Sequence, residues 1–206
     1  VMAEGHFFER TTLTVPTRNV LREDKIYRYG DVVALVCADT KDNARAAAAK
    51  VKVEIEKLPE YLSYLDAVMP SAQRIHPETP NIFAQQPVLK GVGLEEPSKV
   101  SEVIENSDFS VEGSFHSTRE PHLSIEGDTV QAYFDEDGML AIQCKSQGVY
   151  SSIGRIGNSI GIPRDKIRII MNPTGASFGW STNAGDLCLA AAAAFITKMP
   201  IALSMS

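Results

Sequence analysis

The sequence predicts a mixed α+β fold. Two strand-like runs, 129–134 and 139–144, flank an acidic turn that ends in Gly138, which is typical of a β-hairpin. Apolar residues alternate through 166–171, as they do in a strand, and the long Ala-rich segment 186–198 has the composition of a helix. Hairpin strands and a strand-to-helix connection therefore occur together in the second half of the chain.

The first part of the chain contains a small strand–helix–strand unit. The continuous apolar run 32–38 predicts a strand that is buried on both faces. Thr40 is placed to cap a helix over 41–51, and small residues on one face of that helix allow close packing on a sheet. Strict alternation of apolar and charged residues predicts a half-exposed strand over 51–56. A further short strand is expected at 11–15.

Five prolines between positions 70 and 97 separate this unit from the rest of the chain. Each proline removes a backbone donor and fixes φ, so the segment is predicted to be an extended linker that docks on a surface. His76 lies within it and is predicted to be a surface or packing histidine, because no second ligand stands at a metal spacing. A helix over 98–106 and a strand over 109–116 follow, and a helix is expected at 150–159 although it contains two glycines.

Composition excludes several classes of partner. The chain has 206 residues, 44% of them hydrophobic and 22% charged, which is ordinary for a globular protein. Its net charge of −6 argues against nucleic acid or an anionic membrane as the main partner. The longest apolar run, 187–196, is too short to cross a bilayer, and the first residues lack the pattern of a signal peptide.

The three cysteines predict a reducing environment. Cys37, Cys144 and Cys188 each lie inside an apolar strand or helix pattern, and none has the spacing of a metal ligand. They are therefore predicted to be buried thiols, and a cytoplasmic location is expected.

The segment 172–179 joins a predicted strand to the Ala-rich helix and consists of small residues around Phe178. Small residues let the backbone adopt positive φ and let another group approach it closely. The helix beyond offers free N–H groups and a positive dipole end to an anion. These properties suit a cofactor-binding loop, but a tight turn between a closely packed strand and helix is the alternative that the loop alone favours.

A second polar segment, 118–126, places Arg119, Glu120, His122 and Glu126 between two predicted strands. Two carboxylates beside an imidazole suit acid–base chemistry, whereas the residues alone favour an ion-paired connection. The sequence has neither a Ser-His-Asp order nor a metal-ligand cluster nor a nucleotide-binding glycine motif. No catalytic residue and no metal ligand is therefore predicted.

Several short motifs follow one another from about Arg22 onward. They are Tyr29-Gly30-Asp31, Val36-Cys37-Ala38-Asp39, Ala44-Arg45-Ala46-Ala47, Val51-Lys52-Val53, Leu58-Pro59, Ile75-His76-Pro77, Thr79-Pro80-Asn81, Glu120-Pro121-His122, Glu126, Ser146-Gln147, Gly175 and Phe178-Gly179. Each motif is weak alone, but their order is specific. Together they resemble the xanthine oxidase family of molybdenum hydroxylases, in particular its bacterial aldehyde oxidoreductase branch.

The resemblance implies an order of domains. An α/β hammerhead-like domain is expected at 1–65, a linker at 66–97, and the first portion of a molybdopterin-binding α+β domain at 98–206. The strand-like run 200–205 closes the sequence, and a strand needs a neighbour, but none follows it. We therefore expect the chain to be a piece of a longer polypeptide.

The resemblance also implies a cofactor and an activity. The cofactor is molybdopterin, with its cytosine dinucleotide form as one alternative, and the reaction is hydroxylation of an aldehyde or N-heterocycle with water as the oxygen source. Phe178 and Gly179 match the pair whose backbone lies against the cofactor. Glu120 stands where the family has a glutamine that points at the apical oxygen of the metal, so an acceptor replaces a group that can donate. The loop also departs from the glycine-rich family pattern at Ala176 and Ser177.

The family's catalytic glutamate and most of its pterin contacts lie outside these residues. The implied partners are the remainder of the molybdenum subunit, iron–sulfur domains or subunits that carry the clusters, a flavin domain or subunit as a further candidate, and a small-molecule substrate. This chain alone is expected to be inactive. A non-catalytic scaffold or assembly subunit of the same fold is the alternative function.

Overall fold

The computed structural model describes residues 20–82, 96–118, 120–179, 181 and 184–205. Its helices and strands are, in chain order, α1 (Lys41–Ala48), α2 (Tyr64–Ala67), α3 (Pro97–Glu105), β1 (Thr129–Phe134), β2 (Leu140–Cys144), α4 (Val149–Ile160), β3 (Ile167–Met171), α5 (Gly185–Thr197) and β4 (Ile201–Ser204). A short 3-10 helix, Arg164–Lys166, leads into β3. A sheet with separate helices confirms the predicted α+β fold class.

The four strands form one mixed sheet in the order β3-β2-β1-β4. β1 and β2 are antiparallel and make the predicted hairpin, which Asp135 closes by accepting the N–H groups of Asp137 and Met139. β2 and β3 are parallel, with α4 in the connection between them. β4 pairs antiparallel with β1, with Ala132 opposite Ile201. The expectation that the last strand lacks a neighbour is therefore wrong, because β1 provides one.

The core lies between this sheet and helices α4 and α5. In α5, every residue from 187 to 194 is buried, and its run of alanines lets the helix pack closely on the sheet and on α4. α4 also presents small residues: a Cβ added at Gly157 would stand 2.8 Å from the carbonyl oxygen of Ile162. The expected helices at 150–159 and 186–198 are confirmed to within a residue at each end.

The first part of the chain has less regular structure than the sequence predicts. Thr40 caps α1 as expected, because its Oγ1 accepts the N–H of Asn43 at 3.2 Å. The predicted strands at 32–38, 51–56 and 109–116 are wrong, since no ladder among the described residues includes them. A strand needs a partner for its N–H and C=O groups, and local alternation alone does not provide one.

The beginning of the predicted linker packs against residues 20–31. The rings of Tyr27 and His76 stack with their centroids 4.3 Å apart, and Lys25 Nζ donates to the carbonyl of Ile75 at 2.7 Å. His76 is thus a packing residue, as expected. The proposed domain boundaries at 65 and 97 stay predictions, and the strand expected at 11–15 lies outside the described residues.

A cleft of about 910 Å³ lies between the first part of the chain and the sheet. Its walls include the segment 33–40, part of α1, and the residues of β4. Cys37 lines this cleft and is exposed, whereas Cys144 and Cys188 are buried. The prediction of a buried thiol is therefore confirmed for the last two cysteines and wrong for Cys37, because the segment around it is not covered. No described helix has the length and apolar character needed to span a membrane.

Candidate functional site

The small-residue segment leaves the sheet beside the end of β2. The N–H of Asn172 donates to the carbonyl of Cys144 at 2.8 Å, and Gln143 Nε2 donates to Asn172 Oδ1 at 3.0 Å. These bonds extend the β2–β3 pairing by one residue and then release the chain. We call residues 172–181 the loop, of which residue 180 lies outside the described residues.

The polar segment 120–126 lies against this loop. Ser124 Oγ donates to the carbonyl of Ala176 at 3.1 Å, and the N–H of Gly175 donates to Glu126 Oε2 at 2.8 Å. A Cβ added at Gly175 would stand 2.7 Å from the same carboxylate oxygen, so a larger residue there would displace the Glu126 carboxylate. The structure thus brings together the two segments that the sequence analysis singled out.

The tip of the loop has a left-handed backbone. Phe178 has a φ of 49° and Gly179 a φ of 88°. A phenylalanine in this region is uncommon, because its Cβ crowds the following carbonyl, and such strain often marks a functional site. The Phe178 side chain is 71% exposed rather than packed in the core. The loop therefore holds an aromatic ring outward on a left-handed backbone.

Two hydrogen bonds support this tip from behind. Ser177 is buried, and its Oγ accepts the N–H of Ser181 at 2.9 Å. The N–H of Gln147 donates to the carbonyl of Ser181 at 3.2 Å, which ties the loop to the residues that follow β2. Ser146 and Gln147, one of the motifs that carry the family resemblance, lie just beyond the end of β2, and Gln147 contacts the loop.

Glu120 is placed differently from Glu126. Its side chain is exposed, and its Oε1 accepts a hydrogen bond from the hydroxyl of Thr118 at 3.3 Å. This contact is local and does not involve the loop. The assignment of Glu120 to the cofactor site stays a prediction, as do those of Phe178 and Gly179.

A buried lysine that the sequence analysis missed lies behind the loop. Lys145 follows β2 directly, and its side chain is 7% exposed. Its Nζ donates to Asp128 Oδ1 at 3.0 Å and to the carbonyl of Glu126 at 3.1 Å, and it lies 3.7 Å from Glu126 Oε2. The sequence did contain a signal for this cluster. Lys145 continues the buried strand β2, and two carboxylates, Glu126 and Asp128, come just before β1, with which β2 pairs.

Asp186 lies in the first turn of α5, close to the same cluster. The pKa of its carboxyl is raised to about 6, chiefly by burial and also by the nearby Asp128 carboxylate. The N–H of Leu187 and the charge of Lys145 oppose this increase. The region behind the loop thus contains one lysine and three carboxyl groups.

The loop residues fit a bound cofactor. Ser181 Oγ is buried and has no hydrogen-bond partner in the part of the chain that the structure describes. A buried hydroxyl without a partner is uncommon, and it is a group to which a ligand can bind. At Gly179, no heavy atom lies within 4 Å of the point where a Cβ would stand, so another group has room to approach. Among the described residues, no group of three or more His, Cys, Asp or Glu could hold a metal ion directly.

Known proteins match both the sequence and the fold. Residues 75–206 match the family model of the molybdopterin cofactor-binding domain. The aldehyde oxidoreductase of Megalodesulfovibrio gigas is 40% identical over 186 residues, which are 90% of this chain and 20% of that protein. The nicotinate dehydrogenase large molybdopterin subunit of Eubacterium barkeri is 29% identical over 90% of this chain and 42% of its own length.

A solved structure has the same fold. That structure, the aldehyde oxidoreductase from Desulfovibrio gigas, has a TM-score of 0.84 and 37% sequence identity, and the match covers 99% of this chain and 23% of the solved one. The fold is thus that of a molybdopterin cofactor-binding domain. The chain belongs to the molybdopterin cofactor-binding domain family, which confirms its resemblance to the xanthine oxidase family of molybdenum hydroxylases. It spans about a fifth of the length of the aldehyde oxidoreductase that it matches.

Proposed function

We propose that this chain forms one wall of the molybdopterin site in the large subunit of a molybdenum hydroxylase. The observation that carries the proposal is the loop 172–181, which segment 120–126 holds in place while its left-handed tip holds the Phe178 ring outward. The parent protein oxidises an aldehyde or an N-heterocycle with water as the oxygen source. Aldehyde oxidoreductases and xanthine dehydrogenases among the relatives support this class of reaction.

The residues of this chain bind and orient the cofactor. Molybdopterin, when bound, supplies the redox centre at which the substrate is oxidised. Backbone N–H groups at Phe178 and Gly179 hold it, and the Phe178 ring shields it from water. The Ser181 hydroxyl gains its missing partner there. Glu120 faces the same group, where it accepts hydrogen bonds as a carboxylate and donates one only as a neutral acid.

The catalytic base and the electron acceptors lie in other parts of the parent protein or in other subunits. Apolar side chains in the first half of the chain and before β1 are exposed, which supports a further protein surface over them: Val53, Ile55, Leu58, Phe109, Val111 and Phe115. We assign that surface to the remainder of the molybdenum subunit, with iron–sulfur and flavin domains or subunits beyond it. All three cysteines are free, which suits a cytoplasmic location. This chain alone is inactive, because it offers neither a base nor an electron acceptor.

Cofactor analysis of the full-length protein tests the proposal. We expect molybdenum and an organic pterin in equal amounts, and product oxygen that derives from labelled water. The pterin extracted from the protein also distinguishes the cytosine dinucleotide form from the simpler one. A full-length protein without molybdenum or pterin contradicts the proposal and favours the alternative function, a scaffold or assembly subunit. The observation that supports this alternative is Glu120, which stands where the family has a glutamine.

A further inference from the structure

Lys145 is a buried cation that reaches the loop through Glu126, and among the described residues its own polar contacts are with Glu126 and Asp128 rather than with the loop. It contacts Glu126 twice: its Nζ donates to the backbone carbonyl at 3.1 Å and lies 3.7 Å from the carboxylate oxygen Oε2. That same oxygen accepts the N–H of Gly175 at 2.8 Å. One carboxylate thus links a fixed charge behind the sheet to the backbone of the loop.

The two ends of this link differ in mobility. Lys145 and Asp128 have side chains that are 7% and 17% exposed, and they pair at 3.0 Å. The Glu126 side chain is 37% exposed, so it has space to rotate into solvent. Lys145 Nζ and Glu126 Oε2 are too far apart for a hydrogen bond, but opposite charges at 3.7 Å attract each other. Packing alone does not hold this half-exposed carboxylate in place. The positive charge of Lys145 therefore keeps the Glu126 carboxylate beside the N–H of Gly175.

We propose that Lys145 is a positioning residue for the loop, and that it acts through Glu126 to fix Gly175 and hence the backbone of Phe178 and Gly179. The identity of the group that the loop binds, molybdopterin, rests on the proposed function. The chain of contacts from Lys145 to Gly175 does not depend on it.

Loss of the lysine charge changes the balance of the cluster. In a Lys145→Met variant, Glu126, Asp128 and the nearby Asp186 face one another without a cation. Like charges repel, and Glu126 is the one with most access to water, so its carboxylate leaves Gly175. The Gly175 N–H then loses its acceptor, and the loop opens more often.

Hydrogen exchange on the full-length protein measures this opening without reference to catalysis. We expect Lys145→Met to raise the exchange rate of peptides that cover 174–179 about tenfold, which corresponds to the loss of one charge-assisted hydrogen bond. Lys57→Met is the matched control, since Lys57 also pairs with a glutamate, at 3.4 Å, but on the exposed surface. The control leaves the exchange of these peptides unchanged.

A double-mutant cycle separates positioning from general destabilisation. Glu126→Ala removes the acceptor of Gly175, so it raises the same exchange rate, and Lys145→Met adds less than about twofold in that background. Full additivity of the two effects, or equal exchange in Lys145→Met and wild type, overturns the inference. The Glu126→Ala substitution should disturb folding less than Lys145→Met, since the Glu126 side chain is half-exposed. It therefore decides the question if Lys145→Met does not fold. An unchanged exchange rate in Glu126→Ala also overturns the inference.

Pterin content separates this inference from the proposed function. If wild type binds molybdopterin, Lys145→Met and Glu126→Ala lower the pterin content together, and Lys57→Met does not. If wild type binds none, the proposed function fails, while the exchange rates still support or overturn the link from Lys145 to Gly175. Bound pterin with unchanged exchange in both variants leaves the function intact and overturns only the link.

Discussion

Glu120 and Glu126 belong to one polar segment, yet their contacts differ. Glu126 accepts the N–H of Gly175, whereas Glu120 is exposed and accepts a hydrogen bond from Thr118. An ionised carboxylate only accepts hydrogen bonds, and an amide of nearly the same shape also donates. The role of Glu120 is therefore decided by which of these properties the cofactor site needs.

Substitution of Glu120 distinguishes these properties. In the full-length enzyme, Glu120→Gln is expected to preserve or raise kcat, because it restores a donor with little change in size. Glu120→Ala is expected to lower kcat by one to three orders of magnitude, which is the rough effect of losing one such donor. Glu23→Ala, at another exposed glutamate, is the control. Equal rates for wild type and both Glu120 variants show that Glu120 faces away from the cofactor.

Asp186 gives a second prediction at the scale of single residues. Its pKa in the folded protein is about 6, against about 4 for an unfolded chain, so the folded state binds its proton more tightly. The free energy of unfolding should therefore fall as the pH rises from about 4 to about 6, by on the order of 2 kcal/mol from this group.

Denaturant unfolding across that pH range checks the prediction. Asp186→Asn should flatten the decrease, because the amide has no proton to lose. Asp165→Asn, on the exposed 3-10 helix, is the matched control and should retain it. An identical pH dependence in wild type and Asp186→Asn would contradict the assignment.

At the scale of elements, the two glycines inside α4 have different surroundings. A Cβ at Gly157 would meet a backbone carbonyl at 2.8 Å, whereas a Cβ at Gly154 would meet the guanidinium end of Arg164 at 3.2 Å. Backbone cannot move without disturbing the turn after the helix, but a long side chain can. The same substitution should therefore have different effects at two positions of one helix.

Gly157→Ala should lower the free energy of unfolding by about 1–3 kcal/mol, the usual cost of overpacking. Gly154→Ala should be near neutral or stabilising, because alanine gains about 1 kcal/mol over glycine in a helix and Arg164 can move aside. Chemical denaturation of both variants measures the difference. If Gly157→Ala is as stable as Gly154→Ala, the close approach of α4 to the following turn is wrong.

The sequence predicts best those elements that local patterns determine. The hairpin, α4, α5 and the Thr40 cap were expected because alternation, helical composition and capping chemistry act over a few residues. The strands expected at 32–38 and 51–56 failed, because a ladder depends on partners that are distant in sequence. The contact between Glu126 and Gly175 was not predicted, and Lys145 was missed, since their partners lie far away in the chain.

At the scale of the whole molecule, burial is uneven. The sheet, α4 and α5 make one core, whereas α1, α2 and α3 contain no buried residue. Side chains such as Ile55 and Phe115 are 67% and 98% exposed. The first half of the described chain therefore leaves more of its apolar surface exposed than the second half does.

The three cysteines show the same difference in burial between the two parts of the chain. Burial raises the pKa of Cys144 to about 11 and that of Cys188 to about 12, so neither forms the reactive thiolate at neutral pH. Cys37 is exposed. Titration of the native chain with a thiol reagent at pH 7 should therefore label one cysteine quickly, and Cys37→Ser should abolish that fast phase. Rapid labelling that persists in Cys37→Ser would contradict the buried positions of the other two.

Cys37 stands on the wall of the cleft between the first part of the chain and β4. A dye attached there samples the polarity of that cleft directly, at a position far from the loop in sequence. If the remainder of the molybdenum subunit covers this cleft, as the proposed function implies, the emission should be bluer and the attachment slower in the full-length protein than in this chain alone. The same sulfur atom would then report optically on whether the cleft is covered, independently of the cofactor.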